Sequence, residues 1–168
     1  MNHTFVTVKG SLSKNKLHDI LLKINEKYYN NLFTIINNGN YWEIQYKDYW
    51  QYRIQITIDS KRKLHIRPSP GKFSGWMETV FQNEIAFQLK GTCSCEAFSE
   101  KWKPVENKYP TYRSYWSMLC EQNILKLEDW QFICYMYEKE IKCWPEELKI
   151  LAGESPNPNI LPNFESVE

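Results

Sequence analysis

No window of this 168-residue chain approaches 18 uninterrupted apolar positions, so no segment reads as a membrane span. Neither charge is in excess: 21 Lys and Arg face 20 Asp and Glu, for a formal net charge of +1. A dedicated duplex-binding protein neutralises many phosphates and needs a clear basic surplus, so the balance argues against that class and leaves only local patches. Histidine is scarce, at three residues, which makes a catalytic triad a poor fit. The five cysteines are odd in number and form no even framework, and the opening MNHTFVTVKGSL has no basic stretch leading into a long apolar one. The expectation is a cytoplasmic protein with reduced thiols.

Catalytic signatures are missing as well. The loop RPSPGKFSG contains Gly71 and Lys72 but not the GxxxxGK[ST] spacing that cradles phosphates, and neither G-x-S-x-G nor H-E-x-x-H occurs. What the chain does have is aromatic side chains, 15% of its residues, with seven Trp and eleven Tyr. Such residues fill cores, but they also anchor recognition surfaces because they bury much area at little entropic cost.

The hydrophobic pattern predicts an α+β fold. Residues 5–8 read as a strand. Leu17, Ile20, Leu21, Ile24 and Tyr28 then fall at helical spacing behind a Ser13 N-cap. LFTII, YWEIQY, RIQITI and KLHIR alternate as strands, the first two joined by the turn signal NNGN. Residues 76–89 read as a helix stopped by Gly91. A third helix restarts behind Pro110 and Thr111, and a fourth runs from Leu127 to Trp144 on a stripe of Leu127, Trp130, Cys134, Tyr137, Ile141 and Trp144. The expected architecture is an antiparallel sheet of four to five strands from the N-terminal half packed against helices, with a mainly helical C-terminal half. Residues 1–152 form the domain, and 153–168 form a Pro- and Asn-rich tail that docks through Ile160, Leu161 and Phe164.

Four features bear on function. Cys93 and Cys95 flank one serine, tighter than the usual zinc-ligand pairs, and Cys134 and Cys143 fall on opposite sides of a shared helix. The cysteines therefore read as packing residues, with Cys93 and Cys95 on one buried strand face and no metal or cofactor implied. Glu84 falls within the apolar arc formed by Trp76, Met77, Val80, Phe81 and Phe87, opposite Glu78, Gln82 and Asn83. A carboxylate placed there facing a sheet needs a partner, a buried Tyr, a Trp or an arginine such as Arg53, Arg67 or Arg113, or acts as an acid or base. Arg53, Gln55, Thr57, Lys63, His65 and Arg67 share the outward face of two strands, which reads as a solvated polar face or as a platform where single-stranded bases stack beside aromatics. YKDYWQY puts Tyr46, Tyr49, Trp50 and Tyr52 where a plain turn carries Gly, Asn or Asp.

The leading expectation is a non-catalytic domain that binds another protein through an aromatic-rich surface formed by Tyr46, Tyr49, Trp50, Tyr52, Arg53, His65 and Arg67. A small bacterial inhibitor of the immunity or anti-defence type has this profile. An enzyme or nucleotide-handling protein that uses Glu84 is the alternative, and a single-stranded nucleic-acid binder is the third.

Overall fold

The computed structural model describes residues 4–10, 12–46, 49–59, 62–68, 75–96, 98–104, 106, 126–140, 142, 144, 146–153 and 157–159; at 49–52, 68, 75, 76, 78, 79, 98–100 and 140 it describes the backbone alone. The chain divides into two compact units, Met1–Glu106 and Asn107–Glu168. The expected helix behind Pro110 and the expected docking of Ile160, Leu161 and Phe164 lie outside the described residues.

The first unit is built on seven strands: β1 Thr4–Thr7, β2 Phe33–Asn38, β3 Tyr41–Tyr46, β4 Tyr49–Ile58, β5 Lys63–Pro68, β6 Thr92–Cys95 and β7 Phe98–Trp102. They form one sheet in the order β2-β3-β4-β5-β1-β6-β7, and every pairing is antiparallel. The α+β class is as expected, but the sheet exceeds the expected four to five strands. Strand β1 sits inside the sheet between β5 and β6, so a strand from the N-terminus completes its pairing only when residues 92–95 return.

Helix α1, Lys14–Tyr29, follows β1, and α2, Gly75–Leu89, follows β5. Alternation along the strands puts Val6, Trp42, Ile44, Ile54, Ile56, Leu64, Ile66 and Cys93 on one face, each fully buried. Tyr29 of α1 and Phe81 of α2 stack at 5.5 Å, and both meet Phe33 of β2 edge-on, which anchors the two helices on that face.

Helix α1 begins, and both helices end, for local reasons. The Ser13 hydroxyl oxygen accepts from the Lys16 N–H at 3.3 Å, as expected of an N-cap. At the other end of α1, Asn30 and Asn31 take left-handed conformations that asparagine tolerates, and the Asn31 N–H returns to the Asn25 carbonyl at 2.9 Å. Helix α2 ends differently from the expectation. Lys90, not Gly91, holds the left-handed position, with φ of 54°. The Gly91 N–H donates to Ala86 O at 2.8 Å and the Lys90 N–H to Phe87 O at 3.4 Å, the paired closure of a Schellman motif. Glycine is needed at 91 because of a close approach: a Cβ there would lie 2.8 Å from the Thr7 carbonyl oxygen.

The second unit contains α3, Leu127–Glu140, and α4, Glu146–Ala152, giving four helices among the described residues. The Asp129 carboxylate accepts from the Lys126 N–H at 2.8 Å and fixes the start of α3. Trp130, Ile133, Cys134 and Tyr137 form its buried stripe, and Tyr137 meets Trp144 edge-on. Leu127, expected on that stripe, is 38% exposed because it occupies the first position of the helix, where a turn is covered on one side only.

Candidate functional site

Two surfaces hold residues to which the sequence pointed, and a third holds residues it did not single out. On the sheet face opposite the helices, Glu43 gathers four donors: Tyr41 Oη at 2.8 Å, Arg53 Nη1 at 3.0 Å, Gln45 Nε2 at 3.2 Å and Gln55 Nε2 at 3.5 Å. Burial, together with the bond to and the charge of Glu43, pushes the Tyr41 phenol up to about 12. Next to this cluster, His65 Nε2 lies 2.9 Å from Asp59 Oδ2, its ring meets Phe5 edge-on, and Lys63 Nζ sits 4.2 Å over the Phe5 ring. Arg67 is exposed, opposite Gln55 across the β4–β5 pair. Arg53 and His65 thus share a face, as expected, but each already faces a carboxylate. Glu43 was passed over in the sequence, although its alternation with Trp42 and Ile44 places it on this face.

The aromatic stretch needs correction. Tyr46 is 3% exposed and packs edge-on against Phe33, so it belongs to the core. Tyr49, Trp50 and Tyr52 lie within β4, not on a loop tip: β3 and β4 pair up to Tyr46 and Tyr49, with a register shift at that end. An antiparallel ladder that continues to the turn leaves only residues 47 and 48 between the strands.

Glu84 is buried, at 6% exposure, as its helical phase implied, but its surroundings differ from the expectation. It lines a groove of about 270 Å³ between α1 and α2 with Ile20, Lys23, Ile24, Lys27, Tyr28 and Gln88, so the carboxylate faces α1 and not the sheet. A phenol is among its partners: Tyr28 hydrogen-bonds to Glu84, and burial plus that carboxylate hold the phenol well above its ordinary range. Arg53 is engaged by Glu43, Arg67 is exposed, and Arg113 lies outside the described residues. The helical wheel gave α2 a single buried arc, whereas the helix is enclosed on every side from residue 80 to 86 and Phe87, expected within the arc, is 41% exposed. Gln82 is fully buried because its Nε2 donates to Phe5 O at 3.0 Å and Ser94 O at 2.8 Å, bonding the helix to β1 and β6.

Cys93 and Cys95 lie on β6, both buried on the core face. Burial pushes the Cys93 thiol up to about 12, which keeps it protonated and a poor nucleophile or ligand at neutral pH. Cys120 and Cys143 lie outside the described residues.

The third surface was missed in the sequence. On the side of α3 away from Trp130 and Tyr137, Phe132 is 62% exposed and Tyr135 is 57% exposed, with Lys139 Nζ 4.5 Å over the Tyr135 ring. The signal was present in FICYMY. Once Trp130, Cys134 and Tyr137 define the inner stripe, residues 132 and 135 must point outward at 100° per residue.

No protein-family model matches the chain, and neither a curated protein nor a solved structure matches it.

Proposed function

We propose that this chain is a non-catalytic domain that binds another protein, with Phe132 and Tyr135 on α3 as the aromatic anchors. The exposure of these two rings on one helix face is the observation that supports the reading. An aromatic ring of this kind buries about 150–250 Å² when fully covered, and at about 25 cal/mol per Å² the exposed part of each is worth roughly 3 kcal/mol to a partner that covers it. The Lys139 ammonium over Tyr135 restrains that ring before binding and lowers the ordering cost.

The outer sheet face has less to offer. Arg53 and His65 are half-buried against Glu43 and Asp59, so a partner on this face would have to displace contacts already made. Those carboxylates also place negative charge where a nucleic-acid backbone would approach, which disfavours the single-strand reading. A catalytic reading centred on Glu84 is weaker too, because its phenol partner titrates far above neutral pH and makes a poor general acid or base there. A small inhibitor that acts by occupying its target is the form of protein binding that suits a chain without catalytic signatures.

Affinity capture from the source cell, followed by mass spectrometry, tests this with the wild type beside a Phe132→Ser/Tyr135→Ser double variant. A specific protein should be captured by the wild type and lost from the variant, with the melting temperature nearly unchanged. Equal capture by both proteins would refute the α3 surface.

A further inference from the structure

The groove between α1 and α2 lies in the first unit, apart from the α3 surface in the second, and its chemistry is of a different kind. Lys23 and Lys27 stand one helical turn apart on α1, both exposed, at the rim. Among the described residues neither ammonium has an ion pair, and Lys27 Nζ lies 5.1 Å over the Tyr28 ring. Opposite them α2 presents the buried Glu84 carboxylate, which Tyr28 holds by a hydrogen bond, and Gln88 one turn further on. Ile20 and Ile24 supply an apolar wall.

Each simple class of ligand fits this lining badly. An inorganic anion that meets the two lysines also meets Glu84, and a simple cation that meets Glu84 also meets two ammonium groups. A purely apolar molecule would take all three charged groups out of water with nothing to satisfy them. A molecule that carries both signs a few ångströms apart satisfies both walls: an anionic group toward Lys23 and Lys27, and a donating nitrogen toward Glu84, whose carboxylate can accept up to about four hydrogen bonds, that of Tyr28 among them. The volume of about 270 Å³ is just below the range of ordinary small-molecule sites, which sets a low limit on size. We propose that this groove is a binding site for a small zwitterion with the size and chemistry of a free amino acid. Its carboxylate lies at Lys23 and Lys27, its ammonium at Glu84, and its side chain along Ile20 and Ile24.

The test is ligand-observed NMR on the full chain with each of the twenty free L-amino acids, using inorganic phosphate and methylammonium as single-charge controls. At least one amino acid should bind with a dissociation constant of ~1 mM or tighter, and both controls should bind about tenfold or more weakly than it. Glu84→Gln and Lys23→Gln/Lys27→Gln should each weaken that amino acid about tenfold or more. The lysine variant alters only exposed positions, so it remains informative if Glu84→Gln fails to fold. Three results would overturn the proposal: no amino acid binds, phosphate binds as tightly as any amino acid, or binding is unchanged by the lysine variant.

Discussion

Asn25 shows how much a single side chain holds here. It is buried on α1, where its Nδ2 donates to Phe33 O at 2.8 Å and its Oδ1 accepts from the Phe33 N–H at 3.1 Å. The amide thus pairs with edge strand β2 as another strand would, and binds the end of the helix to the sheet. Asn25→Ala removes both bonds and should cost about 2–3 kcal/mol in a denaturant titration, far more than an exposed Asn of the same helix. Cys93 gives a prediction in pH. Its thiol is raised from 9.0 to about 12 by burial, so the folded state keeps a proton that the unfolded chain releases above pH 9. Its contribution to stability is therefore complete below pH 9 and is lost as pH climbs toward 12. Cys93→Ala should flatten the fall of unfolding free energy across that window by up to about 1.4 kcal/mol per pH unit, as measured by denaturation at a series of pH values. Glu84 acts on its neighbour at still higher pH. Because its charge and hydrogen bond help to hold the Tyr28 phenol up, Glu84→Gln should bring that phenol down while burial keeps it above its ordinary value, as followed by phenolate absorbance.

The end of α2 separates two effects that glycine often combines. The left-handed position belongs to Lys90, where a side chain costs about 1 kcal/mol, and the steric requirement belongs to Gly91. Lys90→Gly should therefore stabilise the protein by about 0.5–1 kcal/mol, whereas Gly91→Ala should destabilise it by forcing β1 and the helix end apart; thermal unfolding of the two variants gives both signs. Elements whose period is uninterrupted were legible in the sequence: α1, with its Ser13 cap, and β3 to β5, with a clean alternation. Strand β7 was not, because FSEKW carries apolar residues only at its ends and offers neither period; its pairing with β6 is decided by the register of Cys93 opposite Trp102. The burial of Glu84 was legible from the helical wheel, but the face it meets was not. A wheel reports which residues leave water, and the packing of α1 beside α2 determines what they meet.

At the scale of the whole molecule the sequence excluded more than it identified. Balanced charge and the missing phosphate-binding and triad motifs narrowed the classes, and the aromatic surplus pointed toward recognition. Which aromatics are available was legible in the spacing but passed over: the alternation of β3 turns Tyr46 inward against Phe33, and the outward Phe132 and Tyr135 follow from the Trp130, Cys134 and Tyr137 stripe. The account rests on that outward pair. Replacing Tyr135 with the photo-reactive residue p-benzoylphenylalanine and irradiating the protein in extract of its source cell tests it most directly, with the same residue at Ile36 on β2 as the control. A single protein adduct of discrete mass should form at position 135 and be absent at position 36. No adduct at 135, or the same adducts at both positions, would contradict protein binding through α3.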